Sequence, residues 1–140
     1  MEIVILILGA IYIGLLFELM LGWRSRQNKK FYKKLFDIKV YYLTMFVSII
    51  LLIKPIIDLI QIGQFTLPIL AIPFVYLLLF KIINKLSLFI NKRNIIIVGR
   101  GDNWPKEHKW YVDSLLHYLA VILSIFIPLL ISLYFDGKTI

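Results

Sequence analysis

The chain has 140 residues, 61% of them hydrophobic and 17% charged, and carries a net charge of +8 from 16 Lys and Arg against 8 Asp and Glu. Soluble domains are nearer about 45–50% apolar and about 25% charged, and a chain this short has too little interior to hide such an excess of apolar surface. A disordered chain, a disulfide scaffold (there is no Cys) and a conventional soluble enzyme are excluded, and lipid becomes the expected solvent for most residues.

Residues 3–23, 40–62, 65–84 and 111–135 are each long and apolar enough to cross a hydrocarbon core of about 30 Å, which takes about 20 helical residues. Backbone amides find no water in lipid, so each span is predicted to be helical. Runs such as Ile3-Val4-Ile5-Leu6-Ile7-Leu8 lack the alternation of a membrane β-strand. The first span resembles a signal peptide only superficially. Glu2 replaces the basic leader, the apolar run is longer than a signal core, and Gly22-Trp23-Arg24 offers no small-residue cleavage site, so it is read as a retained helix.

Between spans one and two lie Arg24, Arg26, Lys29, Lys30, Lys33, Lys34 and Lys39. Lys81, Lys85, Lys92, Arg93, Arg100, Lys106 and Lys109 fall at the end of span three and before span four, so these two regions hold fourteen of the 16 basic residues. By the positive-inside rule both basic loops face the cytoplasm and both termini lie outside. The expected fold is an all-α integral membrane protein: one domain over residues 1–140, four transmembrane helices in an up-down bundle, located in a bacterial-type inner membrane.

Residues 29–39 are expected to lie along the cytoplasmic headgroups. Phe31, Leu35 and Ile38 are at helical spacing, and Lys29, Lys30, Lys33 and Lys34 are turned toward anionic lipid; a plain solvated anchor is the alternative. The loop 91–109 contains Ile95-Ile96-Ile97-Val98, which reads as a short strand, a re-entrant piece or a cover packed under the helices, before the turn at Asn103-Trp104-Pro105. Trp23, Tyr41, Tyr42, Trp104, Trp110 and Tyr111 fit the interfacial aromatic belt.

Ionisable groups within a span cost about 2.5 kcal/mol or more on insertion scales, so each calls for an explanation. At 1.5 Å per residue, Glu18, His117 and Lys81 fall roughly 7–10 Å to the cytoplasmic side of the midplane. On the same reckoning Lys54 and Asp58 fall roughly 4 and 10 Å to the other side. Lys54, Asp58 and Gln61 share one face of span two, where the two charges four residues apart can pair. Pro55 removes one helix hydrogen bond beside them. Two readings compete for this outer layer: a self-satisfied ion pair locking span two, or a polar site for a cation, water or a partner. On span four, Asp113, His117, Ala120, Ser124 and Pro128 form a polar, small-residue stripe. It reads either as a packing seam or as the lining of a water-filled path with His117 titrating near neutral pH. Glu18 shares a face with Gly14 and Gly22 and needs a partner at its depth, for which Lys81 or His117 would serve.

No catalytic constellation is expected. Two His and no Cys are poor material for a metal site, and Gly99-Arg100-Gly101 lacks the rest of a dinucleotide fingerprint. Ser124 is two turns from His117, too far for direct activation. No cofactor and no nucleic acid are expected, since the membrane surface accounts for the basic loops. The function expected from the deep charges and the span-four stripe is a homo-oligomer that forms or gates an ion or solute pore. The alternative is a non-conducting accessory or immunity-type subunit that docks a partner protein in the bilayer, and a third reading is a minimal proton-linked transporter.

Overall fold

The computed structural model describes residues 2–21, 34–96, 106, 108–109 and 111–137, with only the backbone of residues 2 and 17–21. In order these form α1 (Glu2–Leu21), α2 (Ile38–Ile62), a 3-10 turn (Pro68–Ala71) leading into α3 (Ile72–Asn91), and α4 (Ser114–Asp136). Three helical stretches are long and apolar enough to cross a membrane, Ile38–Ile62, Pro68–Asn91 and Ser114–Asp136, and α1 contributes a shorter apolar stretch, Ile3–Leu16.

Local chemistry sets the boundaries. Asp37 caps α2, its Oδ1 accepting the Lys39 amide at 2.9 Å. Residues 38 and 39 therefore belong to α2 and not to the interfacial segment, and of the basic residues in the expected 29–39 segment, Lys29, Lys30 and Lys33 lie outside the described residues. At the other end Gly63 takes φ 71° and donates its amide to the Leu59 carbonyl, a left-handed stop that glycine adopts without steric cost. The third span departs most from expectation. It begins at Pro68 and runs to Asn91, not from 65 to 84. Pro68 and Pro73 are tolerated because each sits in a first turn, where no intrahelical amide bond is lost. Lys81 and Lys85 do not end the helix, since long cationic side chains can reach polar surroundings from a continuing helix; Lys92, at φ 59°, does.

Helix α3 is the centre of the assembly: the most apolar part of the Pro68–Asn91 stretch buries twice the share of its residues that the corresponding part of α2 or α4 does. Its Tyr76, Leu77 and Phe80 are almost fully enclosed by Tyr41 of α2, Ala120 and Val121 of α4, Leu16 of α1, and Leu35 and Ile95 from the connections. Ile95 answers the question about its loop. Residues 94–96 form no strand but fold back, with the Ile95 amide donated to Asn84 Oδ1 at 2.9 Å and the side chain 1% exposed, so this part of the loop covers the bundle. The remainder, 97–105, lies outside the described residues.

The described side chains of α1 attach it at a few points. Gly9 permits close approach: a Cβ there would stand 3.0 Å from Leu70 Cδ2 and 3.4 Å from Leu51 Cδ2. Nearby, the Tyr12 hydroxyl donates to the Thr44 carbonyl and is hydrogen-bonded to Ser48 Oγ, both at 2.9 Å. Two further ties fix the ends. Ser132 Oγ of α4 donates to the Phe65 carbonyl, and the Tyr41 hydroxyl donates to the Leu77 carbonyl, each at 2.9 Å.

Candidate functional site

The outer-layer residues named from the sequence come together around one cavity. A space of about 300 Å³ lies between α1, α2 and the turn into α3, lined by Ile5, Leu6, Lys54, Ile57, Asp58, Gln61, Leu67 and Leu70. Lys54 and Asp58 are one helical turn apart, and Nζ donates to Oδ1 at 2.8 Å and Oδ2 at 2.9 Å. Thr66 Oγ1 also donates to Asp58 Oδ2, which ties the carboxylate to the connection that follows α2. The pair is asymmetric: the Lys54 side chain is 37% exposed and that of Asp58 12%. Gln61, one turn further on, is exposed. The wall opposite is strained, because Leu67 is held at φ 49° and ψ 56°, a left-handed conformation costing a non-glycine residue about 1 kcal/mol or more. The arrangement is a bidentate ion pair in an otherwise apolar pocket, offering one cation, one anion and one amide to a polar visitor.

The α4 stripe is placed differently. Ala120, Ser124 and Pro128 are buried within the chain, and Ser124 Oγ donates to its own helix at the Val121 carbonyl. His117 is 3% exposed with its ring edge-on to Tyr76, centroids 6.2 Å apart. The first part of the stripe, His117 and Ala120, packs against Tyr76 and Phe80 of α3, where small residues allow two helices to close up. The Tyr76 hydroxyl at this seam has no hydrogen-bond partner among the described residues.

Asp113 stands at the N-cap position of α4, ahead of its first turn, and not within the stripe along the helix. It lies in the turn before α4, is fully buried, and forms an ion pair with Arg93, twenty residues back in the chain. The guanidinium is bidentate, Nη1 to Oδ1 at 3.0 Å and Nη2 to Oδ2 at 2.7 Å, and the amides of Ile96 and Lys109 donate to the same carboxylate. Arg93 also donates to the Asn94 carbonyl and accepts Ser87 Oγ at its own carbonyl. Its sequence signal is only that of one basic loop residue among many, so Arg93 was read as a topology charge. Close by, His108 Nε2 and Ser114 Oγ are 2.9 Å apart at the start of α4. Glu18 lies in α1, but its side chain is outside the described residues.

Burial pushes the Asp113 carboxyl up, but the Arg93 hydrogen bonds, the Lys109 and Ile96 amides and the Arg93 charge outweigh it and hold the group below the usual carboxylate range. A carboxylate with a folded-state value below its unfolded one stabilises fully above the unfolded value, about pH 4, and loses that contribution as pH falls through the lower one. Thermal unfolding in mild detergent is therefore expected to be insensitive to Asp113 from pH 7 to about pH 5 and to weaken below about pH 4. In Asp113→Asn that acid limb shrinks; an unchanged limb would assign it to other carboxylates.

No protein-family model, curated protein or solved structure matches the chain.

Proposed function

We propose that this is a non-conducting multi-pass protein of a bacterial-type inner membrane that docks a membrane partner through the Lys54–Asp58 cavity. In this reading the basic loops face the cytoplasm, and the Met1–Glu2 and Asp136–Lys138 ends lie on the other side in an up-down bundle. The carrying observation is that His117, Ala120, Ser124 and Pro128 of the α4 stripe are buried inside the chain, whereas Lys54, Asp58 and Gln61 line an open cavity. A pore built on the α4 stripe around an oligomer axis would require that seam to leave α3. The strained Leu67 at the cavity wall supports a site held in shape for a visitor. A polar group on a partner helix, costly to bring alone into lipid, gains a charge of either sign there.

Two measurements test this. Liposomes containing the purified protein should pass no more ions than protein-free liposomes across pH and voltage; a protein-dependent conductance overturns the proposal in favour of the pore. A photocrosslinker at Gln61, in membranes of cells that express the protein natively, should give one discrete adduct with another membrane protein. That adduct should disappear in Lys54→Met/Asp58→Leu. Adducts with lipid alone, or with a second copy alone, overturn the partner reading.

A further inference from the structure

At the opposite end of the bundle a second recess has different chemistry. A groove of about 220 Å³ between the start of α2 and the second half of α3 is lined by Phe36, Ile38, Tyr41, Tyr42, Lys81 and Lys85, among others. The Lys81 ammonium stands 5.3 Å from the Tyr41 ring centroid and 5.6 Å from that of Tyr42. Lys85 is one turn further along α3, on the same face, so two cations converge on one recess. The ion pairs of the described residues, Lys54–Asp58 and Arg93–Asp113, include neither lysine. The groove is therefore a net cationic pocket with aromatic walls.

Depth says what such a pocket would meet. Tyr41 and Tyr42 are in the first turns of α2, roughly 13 Å from its middle at 1.5 Å per residue. That is just inside the edge of a hydrocarbon core of about 30 Å, from which a long lysine side chain reaches the lipid phosphates. Because Lys81 lies over their rings, it shares this level although it is near the middle of the Pro68–Asn91 stretch; α3 simply continues beyond the start of α2. Tyrosine at this level is suited to the boundary between acyl chain and headgroup, and paired ammonium groups complement a phosphodiester. The neighbouring Asn84 is occupied, bonded to Asn94 and to the Ile95 amide, and serves as a fixed wall.

We propose that this groove binds an anionic phospholipid, with Lys81 and Lys85 on the phosphodiester and Tyr41, Tyr42 and Phe36 against the glycerol and upper acyl chains. The site is separate from the Lys54–Asp58 cavity and does not depend on its role.

The test is native mass spectrometry of the full chain released from nanodiscs of equal parts phosphatidylglycerol and phosphatidylcholine. Wild type should retain phosphatidylglycerol in preference. Removing two lysine contacts, each worth about what a single basic residue gains at an anionic surface, should cut that preference by about thirtyfold in Lys81→Gln/Lys85→Gln. Lys81→Arg/Lys85→Arg should keep it, as should Lys106→Gln/Lys109→Gln, which removes the same charge elsewhere. Equal retention of both lipids by wild type, or equal loss in the two Gln pairs, overturns the site in favour of diffuse surface charge. Displacement of the retained lipid by excess inorganic phosphate overturns the lipid assignment in favour of a free phosphate. Circular dichroism of each variant separates loss of the site from loss of the fold.

Discussion

Arg93→Met lowers the stability of the folded protein in mild detergent by about 3 kcal/mol, and Asp113→Ala lowers it further. Breaking a buried ion pair from one side costs about 3–5 kcal/mol, because the remaining charge is left without compensation. The lower end applies to Arg93, whose side chain is 23% exposed while that of Asp113 is 0% exposed. The two variants should not be equivalent. Removing Arg93 leaves the carboxylate its two amide donors, whereas removing Asp113 orphans the guanidinium and the amides of Ile96 and Lys109 together. The loop carrying Ile95 loses its anchor in either case. Thermal or denaturant unfolding of both variants at pH 7 gives the comparison; equal costs, or costs below about 1 kcal/mol, would mean that the pair is solvated and weak.

Phe80→Ala is expected to cost about 2 kcal/mol, and Phe126→Ala close to nothing. In a bilayer the unfolding reference is itself apolar, so the transfer component that dominates aqueous cores largely disappears and lost packing remains. An unrelaxed cavity costs about 24 cal/mol per Å³, which for the roughly 100 Å³ removed in Phe→Ala gives the figure above. Phe80 is 1% exposed and stacks on Phe36 with centroids 5.8 Å apart, so its loss leaves a gap inside the bundle that bulk lipid does not face, beside the groove it helps to line. Phe126 is 55% exposed on α4, where an acyl chain takes over the vacated volume. Unfolding in mixed micelles checks the contrast, and equal effects would remove α3 from the centre of the packing.

Apolar runs made the helices legible because they extend for twenty residues or more and their ends carry local signals. Asp37 before Ile38 and Gly63 after Ile62 bound α2 within the sequence itself. The third helix was misplaced because hydropathy falls at Lys81 and Lys85 while helical geometry continues to Asn91. Charge marks where polar surroundings begin, not where a helix ends. The Lys54–Asp58 contact was visible because its partners are one turn apart. Thr66 was not, since it is brought back to Asp58 by the connection that leaves α2 at the left-handed Gly63. Arg93 illustrates the same limit more strongly. Helical spacing directed attention from Asp113 to His117, and no periodicity relates residues twenty positions apart across a loop that doubles back.

The attachment of α1 through its described side chains has a consequence for the cavity beside it. Besides small apolar contacts around Gly9, Ile13 and Leu16, its described polar tie is the Tyr12 hydroxyl lodged between Thr44 and Ser48. In hydrocarbon that hydroxyl has no substitute partner, so a small displacement of α1 forfeits the whole interaction with no water to soften the loss. The cavity beside Lys54 is walled on one side by Ile5 and Leu6 of that helix, so its shape depends on the same tie that seats α1.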